Sequence, residues 1–299
     1  MTLPLKELVA AELAEPVDPR VTRMAAALAV LHPGAARAVL FYGSCLREAK
    51  LDGLMLDFYL IVSDYRAAYD RRWLAVANRL IPPNVFPFAR DGLSAKYAVL
   101  SEEDFARLCG EGADNVSVWA RFAQPSRLVW TADEKAQQSA IAAISSTPVT
   151  LARLALPGLP AGTPMDFRAL FDHAFSSTYR AELRSERAGK AVSIVDSDPT
   201  YYSALFDALH RDGALDRTGL PGPRENARRW RRLQRRGKWL SVVRLAKASF
   251  TFAGGIDYLA WKINRHAGTR IVITPWQRRH PLLAAMVLLP RLLASRAVG

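Results

Sequence analysis

The stretch from Ala38 to Asp64, AVLFYGSCLREAKLDGLMLDFYLIVSD, sets the tightest limit on what this chain can fold into. Val39 to Tyr42 is a short β-prone run, Gly43-Ser44 interrupts it, and Leu46 to Lys50 has the composition of a helix start. Asp52-Gly53 then turns the chain into a second apolar run, Leu54 to Val62. The pattern is strand, Gly-Ser turn, short helix, turn, strand. A glycine at the end of a strand lets backbone amides approach an anion with no Cβ in the way, and Ser44 adds a hydroxyl donor beside it. Asp57, early in the second strand, is placed to hold a divalent cation against the same anion. Side chains two apart on a strand share a face, so a second carboxylate is expected at position 59, where the chain carries Tyr59. Asp52, in the preceding turn, and Asp64, at the far end of the strand, are the remaining candidates.

The chain is 299 residues long and half hydrophobic, which excludes a disordered chain and allows two compact units plus a tail. Its net charge of +13 is unevenly spread: residues 1–150 carry 16 Lys/Arg against 17 Asp/Glu, and residues 151–299 carry 25 against 11. A near-neutral first half joined to a cationic second half points to a polyanionic surface as partner, either nucleic acid or an acidic membrane. Two cysteines, Cys45 and Cys109, suit a reducing compartment without a disulfide framework, and neither has a histidine near it in sequence to make it a nucleophile. The five histidines show no metal-ligand spacing. The N-terminal residues lack a basic start and an apolar core, so neither a secretion signal nor a transit peptide is expected. No apolar run reaches the ~18 to 20 residues that cross a bilayer, so membrane contact is expected to be peripheral.

Along the chain, Val21 to Leu31 reads as a scaffold helix. Arg66 to Ile81 has Tyr69, Trp73, Val76 and Leu80 on one helical face, expected to be core. Pro82-Pro83 ends that helix and a loop is expected up to Gly92. Leu93 to Leu100 is a third strand carrying Lys96, and Ser101 with Asp104 caps a helix over Glu102 to Cys109 that Gly110 closes. Arg127 to Trp130 and a helix over Asp133 to Ser145 complete the first unit, and the Pro/Gly-rich stretch Leu156 to Pro164 is the clearest internal break. Asp198-Pro199 opens a helix with Tyr202, Leu205, Phe206 and Leu209 as its buried stripe. Arg180, Arg184, Arg187 and Lys190 form either a solvated helix face or a phosphate-facing wall. Arg224 to Leu240, RENARRWRRLQRRGKWL, suits nucleic-acid phosphates or anionic lipid headgroups equally. In the tail, Trp276, Arg278 and Arg279 precede the apolar run Leu282 to Pro290, a pattern that suits a segment lying in the headgroup region and tips the basic half toward lipid.

These stretches together resemble the mitochondrial translocator assembly and maintenance family, the soluble-type phosphatidate cytidylyltransferases that make CDP-diacylglycerol. The resemblance runs from about Val39 to Pro199. It is carried by Phe41-Tyr42-Gly43-Ser44, by Met55-Leu56-Asp57-Phe58 with the following strand and Asp64, and by Ala95-Lys96-Tyr97-Ala98-Val99-Leu100-Ser101. Ala120-Arg121-Phe122 through Pro125 and Phe175-Ser176-Ser177-Thr178-Tyr179-Arg180 before Lys190 are similar to further family anchors. The family also has a single Asp in its Leu-Asp-Phe strand, although the spacing from Gly-Ser to that Asp is shorter here and leaves Asp52 without a secure counterpart.

The resemblance implies an α+β fold: a polymerase β-like nucleotidyltransferase domain over residues 1–148, a mainly helical, winged-helix-like domain over 149–240, and a membrane-contacting C-terminal region over 241–299. It implies a bacterial member, cytoplasmic and peripheral on the inner face of the cell membrane, that transfers CMP from CTP to phosphatidic acid. In that reading Gly43, Ser44 and Tyr97 bind the nucleotide, and Asp57 and Lys96 are catalytic. Asp57 and Asp52 hold Mg²⁺, Arg180 and Lys190 meet the lipid phosphate, and Trp276, Arg278 and Arg279 contact an anionic membrane. Nucleic acid is not the expected partner. The alternatives are nucleotide transfer to RNA or another acceptor, and an inactive relative that only binds acidic lipid or nucleic acid.

Overall fold

The computed structural model describes residues 3–47, 50–160, 162–181, 194–251 and 272–276. The fold is α+β, built on one mixed sheet of five strands. β1 (Ala36–Tyr42) and β2 (Met55–Val62) flank the Gly-Ser turn, β3 (Asn84–Arg90) and β4 (Leu93–Ser101) form a hairpin, and β5 is Ser126–Thr131. Their order in the sheet is β3-β4-β2-β1-β5, with β2 and β4 parallel and the other neighbours antiparallel.

Both faces of the sheet are covered, which is why β2 reads as an almost unbroken apolar run around one Asp. Leu40, Tyr59, Ile61 and Leu100 face one side. There they meet α1 (Leu5–Ala14), α6 (Glu102–Cys109), α7 (Trp119–Phe122) and the long α8 (Glu134–Ala155). Val39, Phe41, Phe58, Leu60 and Val99 face the other, against α2 (Pro19–Val30) and the short helices α4 (Tyr65–Ala68) and α5 (Arg72–Leu80). α1 was not expected as a helix, yet Leu5, Val9 and Leu13 form a spaced stripe buried on the first side.

Two expectations are corrected on the second side. The segment after Pro83 is an edge strand rather than a loop: Asp91 (φ 51°) and Gly92 (φ 75°) make a two-residue turn that pairs β3 with β4. That Asp-Gly pair is a hairpin signal, and Pro87 is tolerated because β3 lies at the sheet edge. The Arg66–Ile81 helix is broken at Tyr69, whose backbone is extended, and its apolar face points outward: Trp73, Val76 and Leu80 are 47, 57 and 74% exposed. The buried face is set instead by the fully enclosed Asn78. Its Nδ2 donates to the Val99 carbonyl at 2.9 Å, and its Oδ1 accepts from the Asn84 amide. Periodicity defines a face but does not say which face packs, and two backbone hydrogen bonds to an otherwise unsatisfied amide outweigh the stripe here.

The second half is helical: a single 3₁₀ turn (Leu156–Gly158), α9 (Phe167–Ala181), α10 (Pro199–Arg211) and α11 (Pro223–Thr251). Asp198 caps α10 by accepting from the Tyr201 amide, and Tyr202, Leu205 and Leu209 are buried as the spacing requires, with Phe206 partly so. The boundary expected after residue 148 falls inside α8, which carries Pro148 within it. One apolar core runs from Leu5 through Leu151, Phe171 and Tyr202 to Leu233, so the sheet and the helical half are packed together. Glu134–Gly158 has the length and apolarity to cross a membrane, but two thirds of its most apolar window is buried inside this core. α9 and α11 cross closely because Gly237 has no side chain: a Cβ there would overlap the Ala181 carbonyl oxygen.

Candidate functional site

The site is assembled by strand register. β1 places Tyr42 opposite Asp57 on one side of β2, and β4 places Lys96 opposite Asp57 on the other. Lys96 Nζ lies 3.0 Å from Asp57 Oδ1, and both side chains remain partly open to solvent. Gly43 is required twice over. Its φ of +98° suits glycine, and a Cβ at this position would come within 3.1 Å of Asp57 Oδ2. Gly43, Asp57 and Lys96, chosen from three separate sequence segments, are therefore brought together, with Ser44 half-buried at the start of the short helix α3 (Ser44–Arg47).

Three other expected participants lie elsewhere. Tyr97 follows Lys96 on the strand and so points to the opposite face. It is 6% exposed among Phe86, Phe88 and His32, and burial pushes its hydroxyl up to about 12. Asp52 is 77% exposed and lies 2.9 Å from an Arg20 nitrogen, within a cluster that Asp18 completes. Asp64 caps α4, accepting from the Arg66 amide at 2.7 Å. It follows β2 at the end opposite Asp57, on the order of 20 Å away at the usual rise per strand residue, so one ion does not bridge Asp57 and Asp64. Cys45 is a buried packing residue whose thiol donates to the Met55 carbonyl, and burial holds the Cys109 thiol well above its usual range.

Cations from α7 and α11 gather at the loop before β3, toward the end of β4 away from Lys96. Arg121 donates to the Ser117 carbonyl, and Arg244 donates to the Ser117 hydroxyl at 2.9 Å and to the Pro82 carbonyl at 2.8 Å. Lys247, one turn on, donates to the Ile81 carbonyl. Burial, with Arg244 beside it, lowers its amine to about 7. These contacts tie α11 to the loop that enters β3. Arg121 belongs to an anchor of the family resemblance, whereas Arg244 and Lys247 lie beyond the basic run and had no signal in the sequence.

Two open cavities stand out among the described residues, and neither is lined by Gly43, Ser44, Asp57, Lys96 or Tyr97. One, of about 960 Å³, lies between residues 111–114 and the arginine-rich face of α11, including Arg228, Arg232, Arg235 and Trp239. It is partly self-neutralised, since Arg236 pairs with Asp114 and Arg229 donates to the Glu111 carbonyl. Arg180 lies exposed on α9 and lines the other cavity. Trp276 is 52% exposed. Lys190, Arg184, Arg187, Arg278, Arg279 and the apolar run from Leu282 to Pro290 lie outside the described residues.

No family model matches the chain, and no curated protein matches it. Among the described residues no group of three or more His, Cys, Asp or Glu side chains is arranged to hold a metal. The donor set fits Mg²⁺ in one way only: Asp57 supplies a single carboxylate, and substrate phosphates and water supply the rest, an arrangement this ion accepts.

Proposed function

We propose that the chain is a nucleotidyltransferase of polymerase β-like type that transfers CMP from CTP to phosphatidic acid. The observation that carries the reading is the convergence of Gly43, Asp57 and Lys96 near one end of the central strands, with Lys96 Nζ 3.0 Å from Asp57 Oδ1 and a Cβ at Gly43 standing 3.1 Å from Asp57 Oδ2. A glycine that leaves its backbone open, an ammonium and a carboxylate are the groups needed to seat a polyphosphate and offset its charge.

In the proposed step a phosphate oxygen of phosphatidic acid attacks the α-phosphorus of CTP. The new P–O bond forms as the bond to the β-phosphate breaks, giving CDP-diacylglycerol and pyrophosphate. The chain contributes positioning and charge neutralisation. Gly43 and Ser44 hold the triphosphate. Lys96 turns from Asp57 toward the phosphates when they arrive, and the freed Asp57 is the residue that would hold Mg²⁺, which would offset phosphate charge. Asp52 stays with Arg20, and Tyr97 supports β4 from the opposite face. Arg180 and Lys190 are the proposed lipid-phosphate contacts. The arginine run of α11 and the segment from Trp276 through Arg279 are the proposed membrane contacts, to which the outward Trp73, Val76 and Leu80, flanked by Arg72 and Arg79, add an apolar and cationic surface of the kind that sits at bilayer interfaces. A cytoplasmic location on the inner leaflet follows from this reading.

The reading is tested by incubating the protein with α-labelled CTP, Mg²⁺ and phosphatidate liposomes. Labelled CDP-diacylglycerol supports it. Label appearing only on RNA, or on no acceptor, rejects it in favour of nucleotide transfer to another acceptor or of a binding protein without activity.

A further inference from the structure

The second cavity carries a ligand chemistry of its own. It has a volume of about 590 Å³, within the range of small-molecule sites, and lies between the 3₁₀ turn, α9, the turn after α10 and α11. Arg180, Arg217 and Arg231 reach it from three different elements, and His173, Ser177 and Gln234 join them. No Asp or Glu lines it, and among the described residues none of the three guanidinium groups pairs with a carboxylate. That separates it from the cavity at residues 111–114, where Asp114 pairs with Arg236. Cations collected in one concavity without a counter-charge repel each other until an anion arrives. His173 in the same concavity has its proton affinity lowered by burial and, to a smaller extent, by Arg180.

The floor adds a second requirement. Asn226 is 2% exposed and lines the cavity, and its Oδ1 has no hydrogen-bond partner. That acceptor is enclosed, and the amide atom beside the cavity-lining Gly158 and His173 is Nδ2, a donor. A hydroxyl oxygen on a short skeleton accepts from it. Gly158 keeps the site open. A side chain there would come within 3.0 Å of His173 Nε2 and 3.4 Å of Asn226 Nδ2. Trp230, held by its Nε1 donating to the Leu154 carbonyl at 2.9 Å, and Leu159 supply an apolar surface for a short carbon skeleton.

We propose that this cavity binds a phosphomonoester that carries a free hydroxyl, with the phosphate on Arg180, Arg217 and Arg231 and the hydroxyl on Asn226. The site shares no residue with the Gly43, Asp57 and Lys96 cluster and needs no nucleotide chemistry. Arg180 is the residue it has in common with the proposed acceptor contacts. Free polyol phosphates and lysophospholipid headgroups present the same chemistry.

Titration calorimetry of the full chain with glycerol 3-phosphate tests the proposal, alongside flotation with phosphatidylcholine vesicles containing lysophosphatidate to separate the two sources. Binding in either arm is expected to weaken about tenfold in Arg217→Ala, the loss typical of one charge-assisted contact, and to be unchanged in Asp57→Asn. In the calorimetry arm Arg224→Ala, which removes the same charge from α11 outside the cavity, is expected to have a much smaller effect. Methyl phosphate, which lacks the hydroxyl, should bind about tenfold more weakly than glycerol 3-phosphate. The proposal is overturned by absence of binding in both arms, by equal loss of glycerol 3-phosphate affinity in Arg217→Ala and Arg224→Ala, or by equal affinity for the two phosphates. Because Asp57→Asn retains this site, failure here is distinguishable from failure of the transferase reading.

Discussion

One set of cations on the sheet and one in the helical half are placed in opposite ways. On the sheet three cations each have a carboxylate: Arg37 binds Asp133 at 2.7 Å and approaches Glu102, Arg127 pairs with the largely enclosed Glu12, and Lys96 pairs with Asp57. On α9, the turn after α10 and α11, Arg180, Arg217 and Arg231 converge on a cavity with none. The first set joins segments far apart in sequence and serves the fold; the second is surplus that an external anion would complete. Asp57–Lys96 sits between the two, since it is paired but both side chains remain partly open to solvent.

The comparison is broken most sharply at the enclosed pair. The Arg127 and Glu12 side chains are only 15 and 14% exposed, and Glu12 is shifted upward because burial outweighs the pull of Arg127. Arg127→Met is expected to destabilise the fold by about 3 kcal/mol, the cost of a buried carboxylate left alone, while Arg231→Met changes stability by less than about 0.5 kcal/mol. Urea denaturation of the two variants decides this, and equal effects would erase the distinction. Next in size is the helix crossing that positions the cavity: Gly237→Ala should cost roughly 1 to 3 kcal/mol by pushing α11 off the end of α9, read as a lowered Tm. A surface test follows. Replacing Arg228, Arg232 and Arg235 with Ser should weaken binding to anionic vesicles by about 1 kcal/mol per residue at low salt, with little left to lose at high salt.

A pH dependence gives a further test. Lys247 is lowered to about 7 by burial and Arg244, whereas its unfolded value is near 10.5. Between these values the unfolded chain holds a proton that the folded chain has released, so this residue adds stability as pH rises through 7 toward 10 and withdraws it below 7. The difference in Tm between the wild type and Lys247→Met is therefore expected to move in favour of the wild type from pH 6 to pH 9. A flat difference would place the amine in water.

The legible parts of the molecule were those where local chemistry decides. Gly43, Asp57 and Lys96 were chosen from a turn and two apolar runs, and their meeting follows from the parallel pairing of β2 with β4. Ser101 and Asp198 cap helices where their spacing said they would. What was not legible depends on packing partners distant in sequence. The outward face of α5 follows from Asn78 bonding to Val99 and Asn84, and Trp73→Ala should accordingly cost less than about 1 kcal/mol where Trp119→Ala, fully buried, costs about 3 to 5. Tyr97 was misplaced because adjacent residues on a strand face opposite ways, a rule that could have separated it from Lys96 beforehand. The cavity of Arg180, Arg217 and Arg231 arises from three segments with no shared motif.

The central claim is that Asp57, seated between Gly43 and Lys96, serves nucleotidyl transfer to a lipid phosphate. It is tested most directly by assaying wild type and Asp57→Asn side by side with α-labelled CTP, Mg²⁺ and phosphatidate liposomes. The expected result is labelled CDP-diacylglycerol from the wild type and at least about 100-fold less from the variant at unchanged Tm, the scale of loss when a charge-stabilising group leaves a preorganised site. Equal product from both proteins, or no labelled lipid from the wild type, would contradict it.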